Sequence, residues 1–71
     1  MIGNGYPHGE RGFVILEEGD IDPTTLQLKI RHYLVIQPNG EQVSGTFSLR
    51  EAKAYIDATE LKLKKNNNLG L

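Results

Sequence analysis

The stretch Leu28–Phe47, LKIRHYLVIQPNGEQVSGTF, decides how this chain folds. It reads as two β-strands around a Pro38-Asn39-Gly40 turn, and both faces of its first strand carry usable side chains. By strand periodicity, Leu28, Ile30, His32, Leu34 and Ile36 share one face, while Lys29, Arg31, Tyr33 and Val35 share the other. A slip of one residue in pairing exchanges the two faces. The length of the turn therefore settles which set is buried.

Two loop lengths fit the turn. A three-residue loop with a glycine bulge sets Gln37 opposite Glu41, Val35 opposite Val43 and Arg31 opposite Phe47, and it gathers Tyr33, Val35, Val43 and Phe47 on one face. A four-residue loop from Gln37 to Gly40, with Pro38 at the first central position of a type I turn, pairs Ile36 with Glu41, Leu34 with Val43 and Ile30 with Phe47. The second arrangement buries the aliphatic residues from Leu26 through Ile36. At about 1.5–3 kcal/mol per fully buried aliphatic side chain, it hides more apolar surface than its rival. We therefore expect the aliphatic face inside and the Lys29 face open. A bulge near Arg31–His32 would divide the strand between the two arrangements.

Working outward, Glu41 to Phe47 is expected as the last strand, and a helix follows at once. Ser48 and Glu51 form a capping box, in which each side chain satisfies the other's backbone N–H. Helical spacing then places Leu49, Ala52, Tyr55, Ile56, Thr59 and Leu63 on one stripe. Lys62, Lys64 and Lys65 suit the negative end of the helix dipole. On the N-terminal side, FVILEE, Phe13 to Glu18, reads as the first strand, and GDIDPTT, Gly19 to Thr25, as a loop. Residues 1–12 hold four glycines and no apolar period, which predicts a flexible arm. Residues 66–71 read as a frayed tail. The expected fold is α+β: a single βββα domain over residues 13–65, in which a three-stranded antiparallel sheet carries one C-terminal helix on one face.

Composition narrows the function. At 71 residues the chain has little surface to bury, and it has no cysteine with which to add a disulfide or a thiolate zinc site. Association with another subunit is the remaining means of gaining stability. Eight basic residues against nine acidic give a net charge of -1, which speaks against a protein living on the phosphate backbone of a nucleic acid. No apolar run is long enough to span a membrane, and the first residues lack the pattern of a secretory signal. The expectation is a cytoplasmic protein without a membrane anchor.

The candidate binding residues follow from the chosen register. Lys29, Arg31, Tyr33 and Val35 form a platform of two cations, an aromatic and an aliphatic on the open sheet face. On the helix, Ala54, Ala58 and Leu61 lie away from the main stripe and offer a second interface, where small residues permit close approach. His32 falls on the inner face by parity, without a nucleophile or carboxylate placed beside it. Glu17, Glu18, Asp20 and Asp22 lack calcium-loop spacing and read as a solvated turn. No catalytic set, metal set, cofactor motif or small-molecule substrate is indicated. The expected function is a small non-enzymatic protein-interaction module, a regulator or adaptor, whose partner is another protein or a second copy of itself. The alternative is a nucleic-acid binder using Lys29, Arg31 and Tyr33.

Overall fold

The computed structural model describes the backbone of residues 1–69 and the side chains of residues 1–64. Strands β1 (Ile2–His8), β2 (Phe13–Ile21) and β3 (Leu28–Ile36) precede one helix, α1 (Leu49–Leu69). The strands form one antiparallel sheet in the order β1-β2-β3. The expected βββα architecture is present, but one of its strands is not the expected one. Residues 1–12 contain the edge strand β1 instead of a flexible arm. Residues 41–47, expected as a full strand, meet β3 only at the bridges Tyr33↔Phe47 and Ile36↔Gln42. The helix continues past Asn66 to Leu69, and residues 70 and 71 lie outside the described residues.

Tertiary contacts hold β1 in place where local propensity does not. Its register sets Gly5 beside Leu16, Tyr6 beside Ile15 and His8 beside Phe13. A Cβ on Gly5 would stand 2.5 Å from Leu16 Cδ2, so the missing side chain is what lets Leu16 lie across the strand. The β1–β2 turn is tied to the helix as well. Glu60 Oε2 accepts the Glu10 and Arg11 backbone N–H groups at 3.1 and 2.9 Å, and His8 Nε2 lies 2.8 Å from Asp57 Oδ1.

The turn after β3 is the three-residue loop. Gln37 N–H donates to the Glu41 carbonyl at 2.8 Å, Gly40 N–H to the Gln37 carbonyl at 2.8 Å, and Val43 N–H to the Val35 carbonyl at 2.9 Å. Gly40 has φ +90°, a conformation that suits glycine because it carries no Cβ. The expectation that the aliphatic face lies beneath the helix is therefore overturned. Val35 is fully buried on the helix side with Phe13, Ile15, Ala52 and Ile56, and Tyr6, Tyr33, Val43, Phe47 and Leu49 pack around them.

Aromatic residues fill much of the buried face. Four of the chain's five, Tyr6, Phe13, Tyr33 and Phe47, belong to this cluster or pack on it. The fifth, Tyr55, tilts against Phe47 with ring centroids 5.7 Å apart. Each aromatic side chain can bury about 150–250 Å², so they supply much of the apolar surface on the helix side. Tyr33 pairs with Phe47 in place of Arg31, because Ser44, Gly45 and Thr46 bow out between the two paired positions.

The anticipated bulge is also present. Glu18 pairs with His32 and Gly19 with Ile30, so Arg31 is the extra residue on β3. Beyond it the parity of β3 reverses, and Leu28 and Ile30 rejoin the helix side. At the helix start the capping box forms as expected: Ser48 N–H donates to Glu51 Oε1 at 2.9 Å, and Glu51 N–H to Ser48 Oγ at 3.1 Å.

In urea titrations, Ile56→Ala should lower the unfolding free energy by about 2–5 kcal/mol, because it opens a cavity at a side chain with 0% exposure. Ser48→Ala should cost about 0.5–2 kcal/mol through the lost cap. Equal, small losses at both positions would contradict this packing.

Candidate interaction surface

The register sorts the expected platform onto two sides of the sheet. Val35 is 0% exposed and belongs to the core, and Tyr33 is half-buried on the helix side. Lys29 Nζ lies 3.2 Å from Asp22 Oδ2, and Arg31 NH1 donates to Asp20 Oδ2 at 3.0 Å. Lys29, Arg31, Tyr33 and Val35 do not form one binding face: Val35 and Tyr33 are occupied by the helix, and each cation has an acidic neighbour. The Arg31–Asp20 pair is exposed on both sides, where such contacts contribute about 0–1 kcal/mol, while the Lys29 ammonium reaches a carboxylate that is itself largely buried.

The face turned away from the helix is instead apolar. Cross-strand pairing arranges it in rows: Pro7, Val14 and Ile36, then Gly5, Leu16 and Leu34, then Ile2, Glu18 and His32. Val14, Leu16 and Ile36 are half-buried by their neighbours, Leu34 is 6% exposed and Ile2 is 48% exposed. The open face of an antiparallel sheet ordinarily carries polar side chains. Here two successive rows carry none.

His32 stands on this open face and not on the inner one, because the register places it outside with Leu34 and Ile36, ahead of the bulge. Its Nε2 contacts Glu18 Oε1, so the histidine does have a carboxylate partner, supplied by the neighbouring strand. The contact gives the apolar rows a polar end. Among the described residues, no group of three histidine, aspartate or glutamate side chains is placed to hold a metal ion. No described helix is long and apolar enough to cross a membrane.

Ala54, Ala58 and Leu61 lie together on the solvent side of α1, as the helical spacing implied, and Leu61 is 57% exposed. Of the acidic cluster, Asp22 has a structural role. Its Oδ1 accepts Thr24 N–H at 2.8 Å and Thr25 N–H at 3.4 Å, which orders the β2–β3 loop. The Thr24 N–H bond and the nearby Lys29 ammonium hold the Asp22 carboxyl below its ordinary range. The Ser48 backbone bond does the same for Glu51. Burial, then the proximity of Tyr33 and Glu17, pushes the Tyr6 phenol above its ordinary value.

The His8–Asp57 contact and the Glu60 clamp escaped the sequence reading, since both depend on residues taken as an arm. The GERG tetrapeptide between two runs carrying β-formers was the available turn signal.

No family model, no curated protein and no solved structure matches this chain.

Both carboxyls with lowered values favour the folded state only when ionised. Their contribution is present above the unfolded carboxylate range near pH 4 and is lost as pH falls through the lower folded values. Thermal melts between pH 7 and pH 2 should show stability declining below about pH 4, with a shallower decline in Asp22→Asn. An unchanged slope in that variant would contradict the assignment.

Proposed function

We propose that this chain is a small non-enzymatic protein-interaction module, a regulator or adaptor, that engages a partner protein through the open face of its sheet. The observation that carries the reading is the pair of apolar rows, Pro7–Val14–Ile36 and Gly5–Leu16–Leu34, on the face that the helix leaves free. An apolar centre with a charged rim is the usual anatomy of a binding patch, and Glu18, His32, Lys29 and Asp20 supply such a rim. The central side chains are already half-buried by one another. Little side-chain freedom is left to lose on docking, and this favours affinity.

The fitting partner presents an apolar helix or strand face of its own. The nucleic-acid alternative needed Lys29, Arg31 and Tyr33 together. With Tyr33 under the helix and the two cations beside Asp22 and Asp20, that reading loses its support. We take the cytoplasm as the working compartment. The absence of cysteine fits a protein that does not depend on oxidising surroundings.

The test is a photo-cross-linking residue at Ile36, activated in cells. A discrete protein adduct should form, and it should disappear when Leu16→Asp is added to a chain whose circular dichroism is unchanged. An adduct insensitive to Leu16→Asp, an adduct removed by nuclease, or no adduct at all would overturn the reading.

A further inference from the structure

The dipeptide Asn-Gly occurs twice in this chain, at Asn4–Gly5 and at Asn39–Gly40. A glycine after asparagine leaves the next backbone nitrogen with no side chain to shield it. That nitrogen can close a five-membered ring on the asparagine side-chain carbonyl. The fold treats the two copies differently.

Asn39–Gly40 forms the tip of the loop after β3, and both residues are exposed. Glu41 N–H donates to Asn39 Oδ1 at 3.0 Å, which bends the side chain back along the chain past Gly40. The same bond polarises the side-chain carbonyl and stabilises the negative charge that develops on its oxygen during attack. Among the described residues, and beyond its chain neighbours, no atom lies within 4 Å of where a Gly40 Cβ would stand. The attacking nitrogen donates to the Gln37 carbonyl at 2.8 Å, and this one bond opens without any strand separating. Asn4–Gly5, in contrast, lies inside β1. Asn4 N–H donates to Glu17 Oε1 at 3.1 Å, Gly5 pairs with Leu16, and Leu16 Cδ2 covers the Gly5 Cα. Ring closure there turns the peptide out of its extended course, so β1 must first leave β2.

We propose that Asn39 is a site of spontaneous covalent modification in the folded chain, a deamidation that lengthens the turn after β3. The Gly40 amide nitrogen bonds to Asn39 Cγ, the Cγ–Nδ2 bond breaks, and Nδ2 leaves as ammonia with the proton that Gly40 gives up. Water then opens the resulting succinimide. Addition at Cγ gives aspartate. Addition at the Asn39 backbone carbonyl gives isoaspartate, whose main chain runs through Cβ and Cγ to Gly40. An amide and water become a carboxylic acid and ammonia, with no change of oxidation state. The added carboxylate takes the net charge from -1 to -2. In the isoaspartate form the main chain gains one carbon within the loop that the Gln37–Glu41 and Gly40–Gln37 bonds close. Ile36, at one end of the open sheet face, is the last residue of β3 before that loop, so the modification acts on this end of the face.

Trypsin separates the two dipeptides into peptides 1–11 and 32–50, so mass spectrometry follows both in one incubation at neutral pH. In the folded chain the Asn39 peptide should convert to the acid at least about tenfold faster than the Asn4 peptide, which waits for β1 to open. In concentrated urea the two rates should converge to within about threefold, because no strand then protects either site. Asn39→Gln should abolish the conversion in peptide 32–50. The isoaspartate form, separated by its extra charge, should melt about 4–8 °C below the fresh chain. Asn39→Asp, which adds the same charge on an ordinary backbone, should not. A folded-state ratio below about tenfold, or an Asn39 that reacts only in urea, would overturn the assignment. An isoaspartate form that melts with the fresh chain would overturn the effect on the turn.

Discussion

The hydrogen bond from Gln37 N–H to the Glu41 carbonyl, closed by Gly40 in the left-handed region, sets the parity of β3 from Ile36 back to His32. That parity passes to β2, whose Phe13, Ile15 and Glu17 must face the same way as Val35 and Tyr33, and from there to Tyr6 and His8 on β1. The helix can then pack only where Phe13, Ile15 and Val35 present a continuous apolar surface. A loop longer by one residue would give a different core from the same residues. It would also exchange the surface available to partners.

Much of the fold was legible from local chemistry. The capping box, the Ala52–Ile56 stripe and the turn after Ile36 each follow from short-range rules, and all three are present. The register was not legible in the same way, because the turn admitted two lengths and the choice was weighed on aliphatic residues alone. The buried face is the aromatic one, and Tyr6, one of its four aromatics, lay in a segment that did not read as a strand. β1 itself was hidden by composition. Ile2–His8 contains two glycines and a proline, which argue against a strand unless a neighbour supplies the packing, as Leu16 does over Gly5. The candidate sites follow the same division. The exposure of Ala54, Ala58 and Leu61 depended only on helical period. The Lys29–Val35 platform depended on register and dissolved.

Two apolar surfaces result, and they lie on opposite sides of one thin sheet. One is the open face around Leu16 and Leu34. The other is the half-face around Ile21 and Ile30 that the helix does not reach. A chain of 71 residues gains little stability from a single small core, so burying either surface against another molecule is a direct way to increase it. The bulge at Arg31 connects the two. It turns Leu28 and Ile30 to the helix side while His32 and Leu34 stay outside, so that neither face is apolar along its whole length.

The register is tested most directly by the nuclear Overhauser effects of the Ile56 methyl groups in isotope-labelled protein. The structure predicts contacts from Ile56 to Ile15 and Val35, with none to Leu34 or Ile36. Contacts from Ile56 to Leu34 and Ile36, with Val35 silent, would place the other face inside and contradict the account from the turn outward.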